Sequence, residues 1–332
     1  MSTFPAQYST LSAAALKPYI GAAYNLNLLT CRYLLRGVSD TYVLEGATDK
    51  YILKIYREQH RSLEEIQGEV QLLNLLKEQG ASVAYPLKDI FNGQIQKFDA
   101  AEGTRYGVLF SYAEGKPVLD LNDEQLKTVG RQMAAVHNIT SIAELKYPRR
   151  AYTFETTLIQ PIKVLEPAFE ELPDEYAYLQ DIATRVIEKL ESFNLAAFSY
   201  GYCQYDFLPK NFHFSENGRL TFFDFDFAGQ GYLANDLMSF FVHFFMHMFT
   251  GKLTDEEADR MYKVFIAAYG EVRPVSDEEI EAIPYLGVGF WIFYLGFQYE
   301  HFDDWSNQFF GPKFVKDRVA LIKTWVNKYC EF

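Results

Sequence analysis

The run from Phe222 to Phe227 reads FFDFDF, two acids set among four aromatic rings, and such a pattern leaves a chain few choices. A carboxylate buried without a partner costs several kcal/mol, so Asp224 and Asp226 require a cation, hydrogen-bond donors or solvent. A second polar cluster lies just upstream, QYDFLPKN over residues 204–211, and places Asp206 and Asn211 in equally apolar surroundings. A metal ion held by carboxylate and amide oxygens meets the requirement. Magnesium suits it, being a hard cation that takes one or two carboxylates together with substrate phosphates. For any one of these residues alone, the plainer reading is an N-cap or turn acid on an edge loop.

Three strand-like runs, 31–36, 41–45 and 51–56, are rich in β-branched or aromatic residues and separated by turn residues. A helix follows, with Ser62 and Glu65 as a capping box, Leu63, Ile66, Val70, Leu73 and Leu76 at helical spacing, and Gly80 as the stop. Strand-like runs resume at 84–91, 94–98 and 106–112. Helical patterns then cover 122–137, 174–193, 233–249, 254–269, 277–299 and 313–329, with short strands and turns between Tyr202 and Asp226. Sheet first and helices after defines an α+β class with two lobes, 1–115 and 116–332, because Gly115 and Pro117 interrupt the pattern. With 49% hydrophobic residues, a chain of 332 can bury the core that either one large domain or two modest ones needs.

In its order of motifs this chain resembles the aminoglycoside phosphotransferase and choline kinase family, which includes a homoserine kinase branch and shares the protein-kinase-like fold. The resemblance rests on Asp206 and Asn211 in D-x-x-x-x-N spacing, Asp224 in the D-F that follows, and Asp236 in A-N-D-L. It implies a bilobal molecule: a small antiparallel-sheet lobe with one helix that binds ATP, and a larger, mainly helical lobe with the catalytic loop and acceptor site. ATP with Mg2+ would bind between the lobes, and a hydroxyl of a small molecule would accept the phosphate. Asp206 would then orient and deprotonate that hydroxyl, Asn211 and Asp224 would hold the metal, and Asp236 would open the next helix as a structural acid.

The first third agrees with this independently. Strand alternation over 51–56 sets Ile52, Lys54 and Tyr56 on one face, and a lysine among apolar neighbours needs an anionic partner. Glu69 lies beside Ile66, Val70 and Leu73 on the packed side of its helix, where a carboxylate seldom sits without a cation. By resemblance, Lys54 contacts the α- and β-phosphates and Glu69 holds it in place; alone, Lys54 reads as an exposed strand lysine. Gly37 and Ser39, in RGVSDT over 36–41, take the place of the phosphate-covering loop, though a plain β-turn explains one glycine equally well. Phe110 and Tyr112 fall where the family's inter-lobe hinge pairs its backbone with the adenine edge.

The family usually writes HGDxHPxN at the catalytic loop. Here Gln204 replaces the His, Tyr205 stands where Gly is common, and Leu208 stands where a polar residue often approaches the transferring phosphate. Lys210 is a substitute charge, although a solvated surface lysine is the plainer reading. These departures leave room for weak activity, an unusual acceptor or a nucleotide-binding regulatory protein without turnover (a pseudokinase); a second, separate alternative is a protein Ser/Thr kinase of the same fold. The second lacks an A-P-E activation segment, since Asn235 and Asp236 signal a helix soon after Asp224. Retention of Lys54, Asp206, Asn211 and Asp224 favours an active enzyme.

His243 and His247, spaced i, i+4, lack a third metal ligand and read as packing or pocket-lining positions. The run FQYEHFDDW over 297–305 either cages a cationic acceptor or ends a helix whose rings pack and whose acids face water. Three distant cysteines, Cys31, Cys203 and Cys330, suggest neither a disulfide framework nor structural zinc and fit a reducing compartment. The start of the chain lacks a signal-peptide pattern. The longest apolar stretch, Leu237 to Phe249, has 13 residues, short of the roughly 20 a membrane span requires. A cytoplasmic location and no membrane partner are therefore expected. The 31 basic residues against 44 acidic ones, net −13, argue against a nucleic-acid partner. Residues 1–115 carry 11 and 12, leaving −12 on the remainder, and an acidic acceptor lobe favours a cationic or amine-bearing substrate.

Overall fold

The computed structural model describes residues 4–57, 60–301 and 310–332. The chain opens with α1 (Ala13–Ala23), the strands β1 (Thr30–Arg36), β2 (Ser39–Glu45) and β3 (Lys50–Tyr56), then α2 (Leu63–Glu78), β4 (Ile95–Ala100) and β5 (Gly103–Ser111). Next come α3 (Asp123–Thr140), a π-helical turn Glu155–Ile159 that runs into α4 (Gln160–Leu165), and α5 (Pro173–Glu191). Four short strands follow, β6 (Tyr200–Cys203), β7 (Phe212–Phe214), β8 (Leu220–Phe222) and β9 (Gly229–Tyr232). Four helices complete the order: α6 (Ala234–Phe249), α7 (Asp255–Gly270), α8 (Asp277–Glu300) and α9 (Pro312–Tyr329). The α+β class, with an antiparallel sheet first and helices after, is the one the sequence patterns lead to.

Two compact units share these elements. One comprises residues 1–115 with the segments 145–148 and 215–226; the other holds 116–144, 149–214 and 227–332.

In the first unit, the five strands form one antiparallel sheet in the order β1-β2-β3-β5-β4. The pleat sorts β3 in two. Leu53 and Ile55 enter an apolar core with Tyr42, Leu44 and Leu109, covered by Leu16 and Ile20 of α1. Lys54, in register with Thr41 and Val108, and Tyr56 belong to the other face, where the Tyr56 hydroxyl donates to Glu69 Oε2 of α2 at 3.1 Å. Both halves of the Ser62–Glu65 capping box are made, and Gly80 leaves the helix at φ +84°. The segment 215–226 is tied in by Phe222, whose N–H donates to Ser82 O and whose carbonyl accepts from the Ala84 N–H.

The expected strand over 84–91 is not formed. Val83 and Pro86 make only isolated bridges. Proline has no N–H for a ladder, and the Asp89 carboxylate accepts from the N–H groups of Phe91 and Gly93, which turns the chain instead. Conversely, α1 occupies a stretch that carries no clear pattern, being alanine-rich with Pro18 inside it.

In the second unit α3 lies tightly against α7. A Cβ on Gly130 would sit 2.5 Å from Phe265 O, so the approach needs glycine. Helix α6 is buried along nearly its whole length. By composition α8 is apolar and long enough to cross a bilayer, yet 72% of its apolar window is inside the fold, which makes it a core helix.

Candidate active site

The first unit brings together three of the residues singled out above. Lys54 Nζ lies 2.5 Å from Asp224 Oδ1, an acid 170 positions away in sequence. Lys54 is buried, at 8% exposed, and Glu69 at 1%. Burial by itself would lower the lysine pKa, but Asp224, then Glu69 and Asp226, outweigh it and lift the ammonium above its ordinary value. The lysine is therefore firmly cationic. Asp224 is in the left-handed region at φ +64°, and its side chain is 41% exposed. Holding a non-glycine residue there takes surrounding structure, and such backbone concentrates at functional sites.

Gly37 and Ser39 form the β1–β2 turn, closed by the Gly37 N–H on Ser39 O at 3.0 Å. Phe110 pairs in register with Ile52 and presents its ring 6.0 Å from Lys54 Nζ. Tyr112 follows the end of β5 and lies 5.7 Å from Lys50 Nζ.

The second unit holds the other pair. Asn211 Nδ2 donates to Asp206 O at 2.8 Å and to Asp206 Oδ2 at 2.9 Å. Asp206 is 6% exposed. The loop between them is closed by the Leu208 N–H on Asp206 O and the Asn211 N–H on Leu208 O. Lys210, read first as a solvated lysine, is 60% exposed and still places Nζ 2.8 Å from Asp206 Oδ2.

What fixes this loop is Asp236. Its carboxylate accepts from the Gln204 N–H at 2.8 Å and the Tyr205 N–H at 2.6 Å, while His137 Nε2 lies 3.0 Å from Oδ2. His137 Nδ1 is 2.8 Å from the Tyr269 hydroxyl. Ser239 Oγ takes the Phe207 N–H at 3.0 Å. Both His137 and Asp236 are buried, so the loop over 204–211 hangs on a desolvated network in which each hydrogen bond is strengthened. Tyr205 adopts φ +67°, a left-handed backbone that favours glycine, with its ring stacked on Tyr152 at a centroid distance of 3.5 Å. His137 had no signal in sequence beyond its helix; only the fold brings it to Asp236.

Each unit offers a hard oxygen donor of its own. Since Asn211 Nδ2 is committed to Asp206, its Oδ1 remains as an acceptor, and Asp224 offers a partly exposed carboxylate. Each is a hard oxygen donor of the kind a divalent cation takes, the amide in the second unit and the carboxylate in the first. Among the described residues no three His, Cys, Asp or Glu side chains gather as a metal cage. His243 Nε2 lies 3.0 Å from Leu119 O, and its ring is 4.2 Å from that of His247. Of the run 297–305, residues 302–305 lie outside the described residues.

Antiparallel sheet, helical remainder and a D-x-x-x-x-N loop anchored from behind define a kinase-like phosphotransferase. Residues 30–278 match the phosphotransferase enzyme family (APH), and the chain belongs to that family. An uncharacterized protein of Deinococcus radiodurans is 26% identical over 328 residues, 98% of this chain and 94% of that protein. The fold is similar to that of an amicoumacin kinase solved with AMP-PNP, Ca2+ and Ami, with TM-score 0.76, 19% identity, and coverage of 96% of this chain and 93% of that one. It is also similar to a microcompartment-associated aminopropanol kinase, with TM-score 0.73, 17% identity and 95% coverage of each chain.

Proposed function

We propose that the protein is a cytoplasmic, ATP-dependent kinase that phosphorylates a hydroxyl of a small, amine-bearing alcohol. The observation that carries this reading is the Lys54–Asp224 pair, a buried cation and a partly exposed acid brought to 2.5 Å from distant parts of the chain. Lys54 takes the α- and β-phosphates, with Glu69 keeping it charged and placed. The Gly37–Ser39 turn covers the phosphates, and the backbone around Phe110 and Tyr112 meets the adenine edge. Asn211 and Asp224 hold Mg2+, which when bound supplies positive charge to the phosphates.

Asp206 accepts a hydrogen bond from the acceptor hydroxyl and takes its proton as the new O–P bond forms and the bond from the γ-phosphorus to the β–γ bridging oxygen breaks, ADP leaving with that oxygen. Its orientation comes from the Asn211 amide and its charge is offset by Lys210. Anchorage of the Gln204 and Tyr205 N–H groups on Asp236 supports an active loop in spite of the altered side chains.

Two observations support an amine on the acceptor. The structural neighbours include kinases named for aminopropanol and amicoumacin, both nitrogen-bearing. Residues 116–332 carry a net −12. The test is ATP consumption with Mg2+ across amino alcohols, choline, homoserine, aminoglycosides, sugars and nucleosides. Turnover with an amine-bearing alcohol is expected; turnover confined to neutral acceptors would reject the amine, and AMP-PNP binding without turnover on any acceptor would favour the pseudokinase.

A further inference from the structure

The stretch joining β3 to α2 carries three buried side chains that the reading above leaves unused. Arg57 Nη2 donates to Gly37 O at 2.6 Å, and His60 Nδ1 lies 3.0 Å from Val38 O. Arg61 Nε donates to Asp226 Oδ1 at 2.8 Å and to Asp226 O at 3.2 Å, while its Nη1 reaches His60 O at 2.6 Å. The N–H groups of His60 and Arg61 both fold back onto Arg57 O at 3.0 Å, so the three residues belong to one closed turn. They are 4%, 5% and 2% exposed, and Asp226 is 3% exposed.

One small piece of chain therefore grips two turns at once. On one side are the carbonyls of Gly37 and Val38; on the other is Asp226, two residues beyond Asp224. Buried ion pairs are poor devices for stability, because desolvation consumes most of the attraction, and they are better explained where they fix geometry. An outer partner that orients a ligand-bearing residue changes metal affinity without touching the metal.

We propose that Arg57, His60 and Arg61 form a brace that fixes the Gly37–Ser39 turn and Asp224 at one spacing, with Asp226 as its anchor and not as a second metal ligand. These are positioning residues, and the inference rests on the nucleotide reading given under Proposed function. The brace sets the phosphate contact and the metal contact at a distance that fits a metal-bound nucleotide. It matters little to a nucleotide bound without metal, which does not engage Asp224.

The experiment is calorimetric binding of AMP-PNP to the full chain, once with Mg2+ and once with EDTA. Two variants are used, the double replacement Arg61→Met with Asp226→Leu, and His60→Leu alone. Replacing both partners by apolar groups avoids stranding a buried charge and keeps the chain folded; melting temperature checks this. His60→Leu removes the imidazole contact to Val38 O and reads the other end of the brace. Each variant is expected to lose at least about tenfold in Mg2+-dependent affinity while changing by less than about twofold in EDTA. Wild-type Mg2+-dependent affinity in either folded variant overturns the brace. An equal loss with and without Mg2+ also overturns it, since that marks general damage. If the wild-type chain itself fails to bind AMP-PNP, it is the nucleotide reading that falls, and the brace with it.

Discussion

Tyr205 shows how two opposed contributions can be weighed at a single residue. Its left-handed backbone is disfavoured by about 1–2 kcal/mol for a side chain bearing Cβ. Its ring, 1% exposed and stacked on Tyr152, is a buried aromatic whose removal costs about 3–5 kcal/mol in comparable sites. Burial is the larger, so Tyr205→Gly should lower stability by roughly 1–4 kcal/mol although it relieves the left-handed backbone. Urea unfolding measures the change, and a stabilised variant would show that strain dominates. For Asp206→Ala, phosphate transfer should fall by about 10²–10⁴-fold while AMP-PNP binding stays near wild type; undiminished turnover would remove Asp206 from the chemistry. Lys54, Asp206, Asn211 and Asp224 stand out in the sequence because charged and amide groups among apolar neighbours are conspicuous, and the structure pairs Lys54 with Asp224 and Asp206 with Asn211. His137 and Arg61 could not. Their partners, Asp236 and Asp226, lie 99 and 165 positions away, and nothing local distinguishes either from an ordinary polar residue.

Among the elements, the legible ones were those that carry their own punctuation. Helix α2 announces its start with Ser62 and Glu65 and its end with Gly80, and α7 and α8 do the same with Thr254–Glu257 and Ser276–Glu279 capping boxes. Helix α1 carries neither a side-chain cap nor an acidic first turn, and its stability comes from packing Leu16 and Ile20 on the sheet, which no local pattern expresses. The α3–α7 contact is likewise invisible until the two helices meet. Gly130→Ala should gain about 1 kcal/mol of helix propensity and lose more than that, about 1–3 kcal/mol, by driving a methyl into the Phe265 carbonyl. A net drop in melting temperature is expected, and an increase would mean that α7 yields freely. Helix α6 contributes a pH dependence. Burial first, then the neighbouring His247, hold the His243 imidazole down to about 4, against the opposing pull of the Leu119 carbonyl and Asp120, with Lys252 adding to the depression. The folded pKa lies below the unfolded one, so above about 6.5 neither state binds the proton and nothing is lost. As pH falls from about 6.5 to about 4 the unfolded state alone binds it, and stability drops by up to about 3 kcal/mol. His243→Gln should flatten that part of the stability curve; an unchanged slope would assign it elsewhere.

At the scale of the whole molecule, the uneven charge makes its own prediction. With a net of −13, attraction of a cationic acceptor should weaken as salt shortens the reach of the field. KM for an amine-bearing alcohol is therefore expected to rise between low and physiological ionic strength while KM for its neutral analogue stays flat. Parallel behaviour of the two would mean that the acidity is remote from the acceptor.

The interrupted membership of the first unit has a consequence in time. The N–H of Ala84, the carbonyl of Ser82 and the charge of Lys54 all find their partners within residues 215–226. During synthesis the first 115 residues leave the ribosome well before those partners exist. At 5–20 residues per second the wait is roughly 6–20 s. Throughout it the nascent sheet carries a lysine with no Asp224 beside it, so the first unit is completed only after nearly half of the second has been made.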